Sequence, residues 1–255
     1  MTLRTAVTTA IAVIALGSGR GHAQPASPAK IDPAALSALQ GMGAHLRSLK
    51  IFQVEAATTD EDVLEDGQKI QYAGNTSILI QLPNHLRAET TSDRRQRLYL
   101  YDGKSFTLFA ERVNYYATVP APPTLHELVD KLEDTYDVSV PLVDLFRWGS
   151  PGWSTAGIAA AVDVGPSVVA GTTCEQYAFR QDDIDWQIWI QQGAYPLPRK
   201  LVITTRTDEA RPQHSAVYTW NLAPSFNDDT FVFDPPPGAG RVKLTQITSA
   251  AGAAK

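Results

Sequence analysis

Beyond the first thirty residues, acid–base or nucleophilic chemistry would have to draw on four histidines, His45, His85, His126 and His214, and one thiol, Cys174. The histidines are scattered, no Gly-x-Ser-x-Gly elbow is present, and no nucleophile pattern neighbours any of them, so an acyl-transfer site is not expected. His126-Glu127-Leu128-Val129-Asp130 resembles a zinc-binding helix, but Asp130 stands where the metalloprotease motif needs a second histidine, so the segment reads as a solvated helix face. Asp60-Glu61-Asp62 with Glu65-Asp66-Gly67, and Asp182-Asp183 with Asp185, lack the ligand spacing of a calcium loop and read as charged turns. Arg94, Arg95 and Arg97 form a basic cluster with no interleaved aromatic platform, and read as a solvated hairpin turn. The 22 Lys and Arg residues against 27 Asp and Glu give a net charge of −5, which disfavours nucleic acid and anionic membrane surfaces as partners. No phosphate-cradling loop supports a nucleotide. The expectation is a protein without catalytic residues, cofactor or metal.

What remains is apolar and aromatic surface, and the elements that must hold it. Trp186 to Thr205 reads as two strands joined by a loop at Gln192–Tyr195, in which Gly193 can take positive φ. Pro196 and Pro198 confine the returning strand's start to an edge or bulge. Trp186, Ile188 and Ile190 share one face, while Gln187, Trp189 and Gln191 share the other, so an indole sits among glutamines. Leu79 likewise opposes Ile78 and Ile80. A sheet with apolar side chains on both faces has its second face covered, or lines a cavity. Alternation alone leaves a ligand-filled concavity and a helix-filled one equally open.

The first residues have the form of a secretory signal peptide: Arg4, an apolar run from Ala6 to Leu16, and small residues ending at Ala23, the expected cleavage point. That run is shorter than a membrane span, and no later stretch approaches one. With no cysteine at the cleavage point, lipidation is not expected. Cys174 cannot form an internal disulfide and reads as a buried small hydrophobe.

Residues 24–31 are a Pro/Ala/Ser linker, after which Asp32-Pro33 places an N-cap and a proline at the first helical position. Leu36, Leu39, Met42 or Gly43, Leu46 and Leu49 then form one helical stripe, which Gly41 and Gly43 either weaken or allow to approach a sheet closely. From Ile51 to Val119 the period is two, with a charged turn at Asp60–Gly67 and a hairpin turn at Asp102-Gly103. Thr124 caps a second helix with a Leu125, Leu128, Val129, Leu132 stripe, and a short third helix follows Pro141 through Leu142, Leu145 and Phe146. Further strands begin near Ser167 and continue to Asn221. Pro235-Pro236-Pro237-Gly238 ends regular structure, with residues 32–247 forming one domain and 248–255 a frayed tail.

In order along the chain, Leu82-Pro83-Asn84-His85-Leu86-Arg87-Ala88-Glu89, Tyr101-Asp102-Gly103-Lys104-Ser105-Phe106, and Trp189-Ile190 through Leu197-Pro198-Arg199-Lys200-Leu201 resemble segments of the LolA/LolB-like superfamily of periplasmic lipoprotein carriers. The insert Thr124–Trp148 looks most like a family of predicted periplasmic proteins of unknown function within it, and is longer than the carrier's lid. Arg87 resembles the carrier's strand arginine, though the sequence does not assign its closing partners. The resemblance implies a mainly β (α+β) fold, a curved, unclosed antiparallel half-barrel whose concave face is covered by helices, with an apolar cavity between.

On that reading the ligand-binding candidates are Leu36, Leu39, Ile80, Leu82, Phe106, Leu125, Leu128, Leu132, Trp186, Ile188 and Ile190. The ligand would be a lipid, an acyl chain or a lipidated peptide, held in the periplasm with a possible envelope protein partner. The alternatives are an envelope scaffold with a solid core and, with less support, a hydrolase whose Asp, Glu or His residues converge only in the fold.

Overall fold

Asp32 starts the first regular element in the way its side chain allows: it accepts the Ala34 N–H at 2.9 Å, and Pro33 opens helix α1, Pro33–Ser48. The computed structural model describes residues 31–246 except 143, 151 and 152. The expected signal peptide (1–23), nearly all of the linker and the tail (248–255) lie outside the described residues.

After α1 the chain runs through six strands: β1 (Ile51–Val63), β2 (Lys69–Gln81), β3 (His85–Ser92), β4 (Gln96–Tyr101), β5 (Ser105–Ala110) and β6 (Tyr115–Pro120). Helices α2 (Leu125–Tyr136) and α3 (Asp144–Arg147) follow, then β7 (Ala160–Val169), β8 (Thr172–Arg180), β9 (Ile184–Gln191), β10 (Pro198–Thr205), β11 (Gln213–Asn221) and the short β12 (Gly240–Arg241). They form one sheet in the order β12-β6-β5-β4-β3-β2-β1-β11-β10-β9-β8-β7. Every neighbouring pair is antiparallel except β12 with β6. The sheet is an unclosed, curved half-barrel with α1 and α2 against its concave face, as the resemblance implies.

Alternation sorts the side chains. Phe52, Val54 and Ala56, Ile78 and Ile80, Leu86 and Ala88, Tyr99 and Tyr101, Phe106, Trp186, Ile188 and Ile190, Leu201, Ala216 and Tyr218 join Ala35, Leu39, Met42 and Leu46 of α1 and Leu125, Leu128, Val129 and Leu132 of α2 in one core. Thr124 accepts the Glu127 N–H and so caps α2.

Several local expectations need correction. The acidic segment at Asp60 is strand, because β1 continues to Val63 opposite Lys69 and the turn is confined to Leu64–Gln68. Counter-charges permit this: Lys69 pairs with Glu61 at 3.0 Å, and Arg94 with Asp62 at 2.5 Å while lying over the Tyr72 ring. β7 begins at Ala160, well before Ser167, since Gly165 and Pro166 hide an edge strand with a bulge between Asp163 and Gly165. The close approach that Gly43 permits is to Gly149 beyond α3, where a Cβ would lie 3.1 Å from the Gly149 nitrogen, and not to the sheet. Leu142 precedes α3 in the left-handed region instead of lying within it. Regular structure also resumes after Gly238, as β12.

The convex face is covered as well. From Asn227 the chain crosses it: Phe231 packs on His85, Phe233 sits between Phe109 and Tyr116, and the Arg87 guanidinium donates to the Thr230 carbonyl at 3.4 Å while pairing with Glu89. Arg87 thus acts on the outside of the sheet. Trp189 is also on that side yet nearly buried, packed with Val169 and Cys174, donating from Nε1 to the Ser167 hydroxyl at 3.1 Å beneath the Lys200 ammonium. Trp186 faces inward and stacks on Phe179.

Candidate functional site

Six of the eleven residues proposed from sequence, Leu39, Ile80, Phe106, Leu128, Leu132 and Ile188, have no exposed surface at all. Ile190, Leu125 and Trp186 are nearly as buried, and Leu36 and Leu82 pack partly exposed at the core's margin. The structure therefore brings the set together as an interface between helices and sheet, in which the six fully buried side chains are packed by their surroundings and present no free surface. Leu82 and Leu125 also border a void of about 170 Å³, and Trp186 one of about 190 Å³ whose lining includes Trp148 and Trp153.

A larger cavity, about 580 Å³, lies on the same concave face where α1 and α2 do not reach. Its floor follows from register. Phe52, Val54, Ala56, Thr58 and Asp60 follow one another at every second position of β1, so the stripe tapers from aromatic to methyl to hydroxyl to carboxylate. Ile80, Ile78, Thr76 and Gly74 on β2, and Leu86, Ala88 and Thr90 on β3, taper in step because Thr58 is paired with Gly74 and Thr76 with Thr90. Adding Thr58, Thr76 and Thr90 to Arg97 and Tyr99 of β4, Leu108 of β5, Leu201 of β10, and His214 and Tyr218 of β11 gives the walls.

The roof comes from the end of α2. Asp137 takes the left-handed conformation (φ 53°) and donates its N–H to Glu133, and the Val138 N–H reaches back to the Leu132 carbonyl at 3.0 Å. The chain then folds back so that Val138, Val140, Pro141 and Leu142 lie over the threonines.

Polar groups gather at this end. His214 Nδ1 and Asp60 Oδ1 are 2.6 Å apart, and the Thr76 and Thr90 hydroxyls are 3.3 Å apart. Burial pushes the Asp144 carboxyl above the usual range, partly offset by the charges of Arg147 and His214, while Glu133 adds to the rise. Burial likewise raises the Tyr218 phenol, with Asp144 adding to the effect. Asp60 and His214 are an acid–base pair without a nucleophile: among the described residues no hydroxyl or thiol hydrogen-bonds His214, and Cys174 lies in the other cluster. Among the described residues no group of three potential metal ligands occurs, and His126 and Asp130, 3.8 Å apart, are exposed on α2.

None of the eleven residues proposed from sequence lines this cavity. The signal that could have found it is the taper along β1, β2 and β3, because Thr58, Asp60, Thr76 and Thr90 extend the same alternation as the core residues.

A family model described as "Predicted periplasmic protein (DUF2092)" matches residues 35–245. No curated protein matches the sequence. Among solved structures, an uncharacterized conserved protein from Thermus thermophilus shares 10% identity, with 82% of this chain and 99% of that one covered and a TM-score of 0.47. LprF from Mycobacterium bovis shares 11% identity over 77% of this chain and 96% of its own, with a TM-score of 0.44. A LolA superfamily protein from Nitrosomonas europaea shares 13% over 78% and 97%, with a TM-score of 0.37. Among the described residues no helix is long and apolar enough to cross a membrane.

Proposed function

The chain belongs to this family of predicted periplasmic proteins, and from that premise we propose that it is a non-catalytic periplasmic protein that binds an apolar or amphipathic ligand in the concave cavity. In this reading residues 1–23 are removed as a signal peptide, 24–31 are a linker, 32–247 are a single domain, and 248–255 are a tail. The observation that carries it is the cavity of about 580 Å³ left between the sheet and the 137–142 segment, within the size range of small-molecule sites. Leu108, Val138, Pro141 and Leu142 offer partly exposed apolar surface over the nearly buried Tyr99, Leu201, Tyr218 and Val140, and each methylene buried against it contributes about 0.8 kcal/mol. One acyl chain gains useful affinity this way without a catalytic motif.

Contact with Leu39, Ile80, Leu128 or Ile188 would require α1 and α2 to lift from the sheet, so the ligand contacts belong to the threonine end. Native mass spectrometry of the purified protein tests the reading: co-purifying lipid, or saturable binding of a fluorescent fatty-acyl probe, is expected. Protein that stays ligand-free and takes up no probe would count against it.

A second reading, an envelope scaffold recognised by a protein partner, draws support from the solid packing of the concave face under both helices. It predicts no ligand, and a partner that still binds after the cavity has been filled by mutation.

A further inference from the structure

The cations of this cavity are not matched by its anions in pairs. Arg97 lies on β4 opposite Thr90 of β3 and Ala110 of β5, which puts it on the same face as Tyr99 and the threonines, and Arg95 lines the cavity beside it. The ion pairs of the described residues engage Arg87, Arg94, Arg147, Arg180, Arg206 and Arg211, but neither Arg95 nor Arg97. Nor does either guanidinium hydrogen-bond to another described residue. The neighbouring Arg94 is satisfied, by Asp62 and the Tyr72 ring.

The carboxylates that line the same space are otherwise occupied. Asp60 is held by His214 at 2.6 Å. Asp144 is driven toward its neutral form by burial. Asp137 is exposed at the end of α2, where water screens its charge. Arg95 is exposed, but Arg97 is partly buried, and a partly buried guanidinium without a counter-charge is a costly arrangement that an oxyanion relieves by accepting two parallel hydrogen bonds. Apolar side chains begin immediately beside it: Tyr99 is two residues along the strand, and Leu108 is paired with Tyr99.

We propose that the cavity takes an anionic single-chain amphiphile, its carboxylate or phosphate head against Arg97 and Arg95 and its chain along Leu108, Val138 and Leu142. This rests on the reading of the cavity as a ligand site and names the ligand class. A cationic amphiphile would meet two unpaired guanidiniums, and a neutral one would leave them unpaired.

Isothermal titration of the purified protein with dodecanoate, dodecyl phosphate, dodecanol and dodecyltrimethylammonium tests it. Dodecanoate or dodecyl phosphate binds at least tenfold more tightly than dodecanol, the tighter of the two naming the head, and the cation binds weakest. Arg97→Gln lowers affinity for the anions by about 10- to 100-fold, the worth of a hydrogen bond to a charged group, and leaves dodecanol unchanged. Arg97→Lys, which keeps the charge but loses the fork, falls between, and serves as the variant of record if Arg97→Gln does not fold. Equal binding of dodecanoate, dodecyl phosphate and dodecanol, with no effect of Arg97→Gln, overturns the charge assignment and leaves the ligand site standing. If none of the four binds, the ligand site itself falls, and this inference with it.

Discussion

His214 of β11 and Asp60 of β1 face each other at 2.6 Å across the seam that joins the two halves of the sheet, and both line the cavity of about 580 Å³. Their side chains are about one-third and more than one-half exposed, so water screens the attraction between them. His214→Ala should therefore shift Tm by less than about 4 °C, equivalent to at most about 1 kcal/mol in a domain of this size. A fall in Tm of about 10 °C or more by circular dichroism would show that the pair carries structure.

Leu128 and Leu36 look equivalent as positions on helical stripes, but they are not equivalent in the core. Leu128→Ala empties a site with no exposed surface and should cost about 2–5 kcal/mol in urea unfolding. Leu36→Ala, at the partly exposed margin, should cost about 1 kcal/mol or less. Similar losses from both would mean that α1 packs by a different face.

Two carboxylates should give opposite pH dependences. Burial raises the Asp144 carboxyl in the folded protein, so its favourable contribution is complete below the unfolded carboxylate range and is lost as pH rises through the raised folded value. Asp144→Asn should then increase stability at neutral pH and have little effect in acid. For Asp185, hydrogen bonds from Arg180 lower the carboxyl, overcoming its partial burial, with the charge of Arg180 and the Arg211 bond assisting. Its contribution is present above the unfolded range and disappears as pH falls through the lowered folded value, so Asp185→Asn should destabilise at neutral pH and become silent in strong acid. Urea midpoints of both variants from about pH 2 to 8 check the signs, and parallel profiles would refute them.

Filling the cavity should separate binding from folding. Thr90→Phe places a ring in the space beneath Val138–Leu142 and should abolish uptake of an acyl probe while keeping Tm within about 5 °C of the parent. Undiminished uptake by a folded variant would move the ligand elsewhere.

Most of the sheet was legible because its faces are chemically distinct over long runs: Phe52-Val54-Ala56, Ile78-Ile80 and Trp186-Ile188-Ile190 all turn inward as their alternation requires. The start of β7 was not, because Asp163, Gly165 and Pro166 are turn residues that an edge strand tolerates through a bulge. The C-terminal crossing was illegible for a different reason: Phe231 and Phe233 have no local period, and their partners His85, Phe109 and Tyr116 lie more than a hundred residues away. At the candidate site, apolarity alone does not mark a ligand surface, because the most apolar positions meet helix side chains. The open space lies where the inward stripe becomes small and hydroxylated. Length contributed too, since β1 and β2 each run 13 residues while α2 spans only 12, and a helix rises less than half as far per residue as a strand.

The pairing of β1 with β11 places the first strand beside the last but one, at the middle of the sheet. During synthesis, then, β1 through β6 can zip in order while β1 keeps a raw edge until residues 213–221 emerge, a wait that loop-closure entropy makes slow. An edge left bare that long invites pairing with another chain. Glu55, Asp60, Glu61 and Asp62 are spread along that strand, charges of the kind that oppose edge-to-edge pairing of an unfinished half-sheet before its own partner strand arrives.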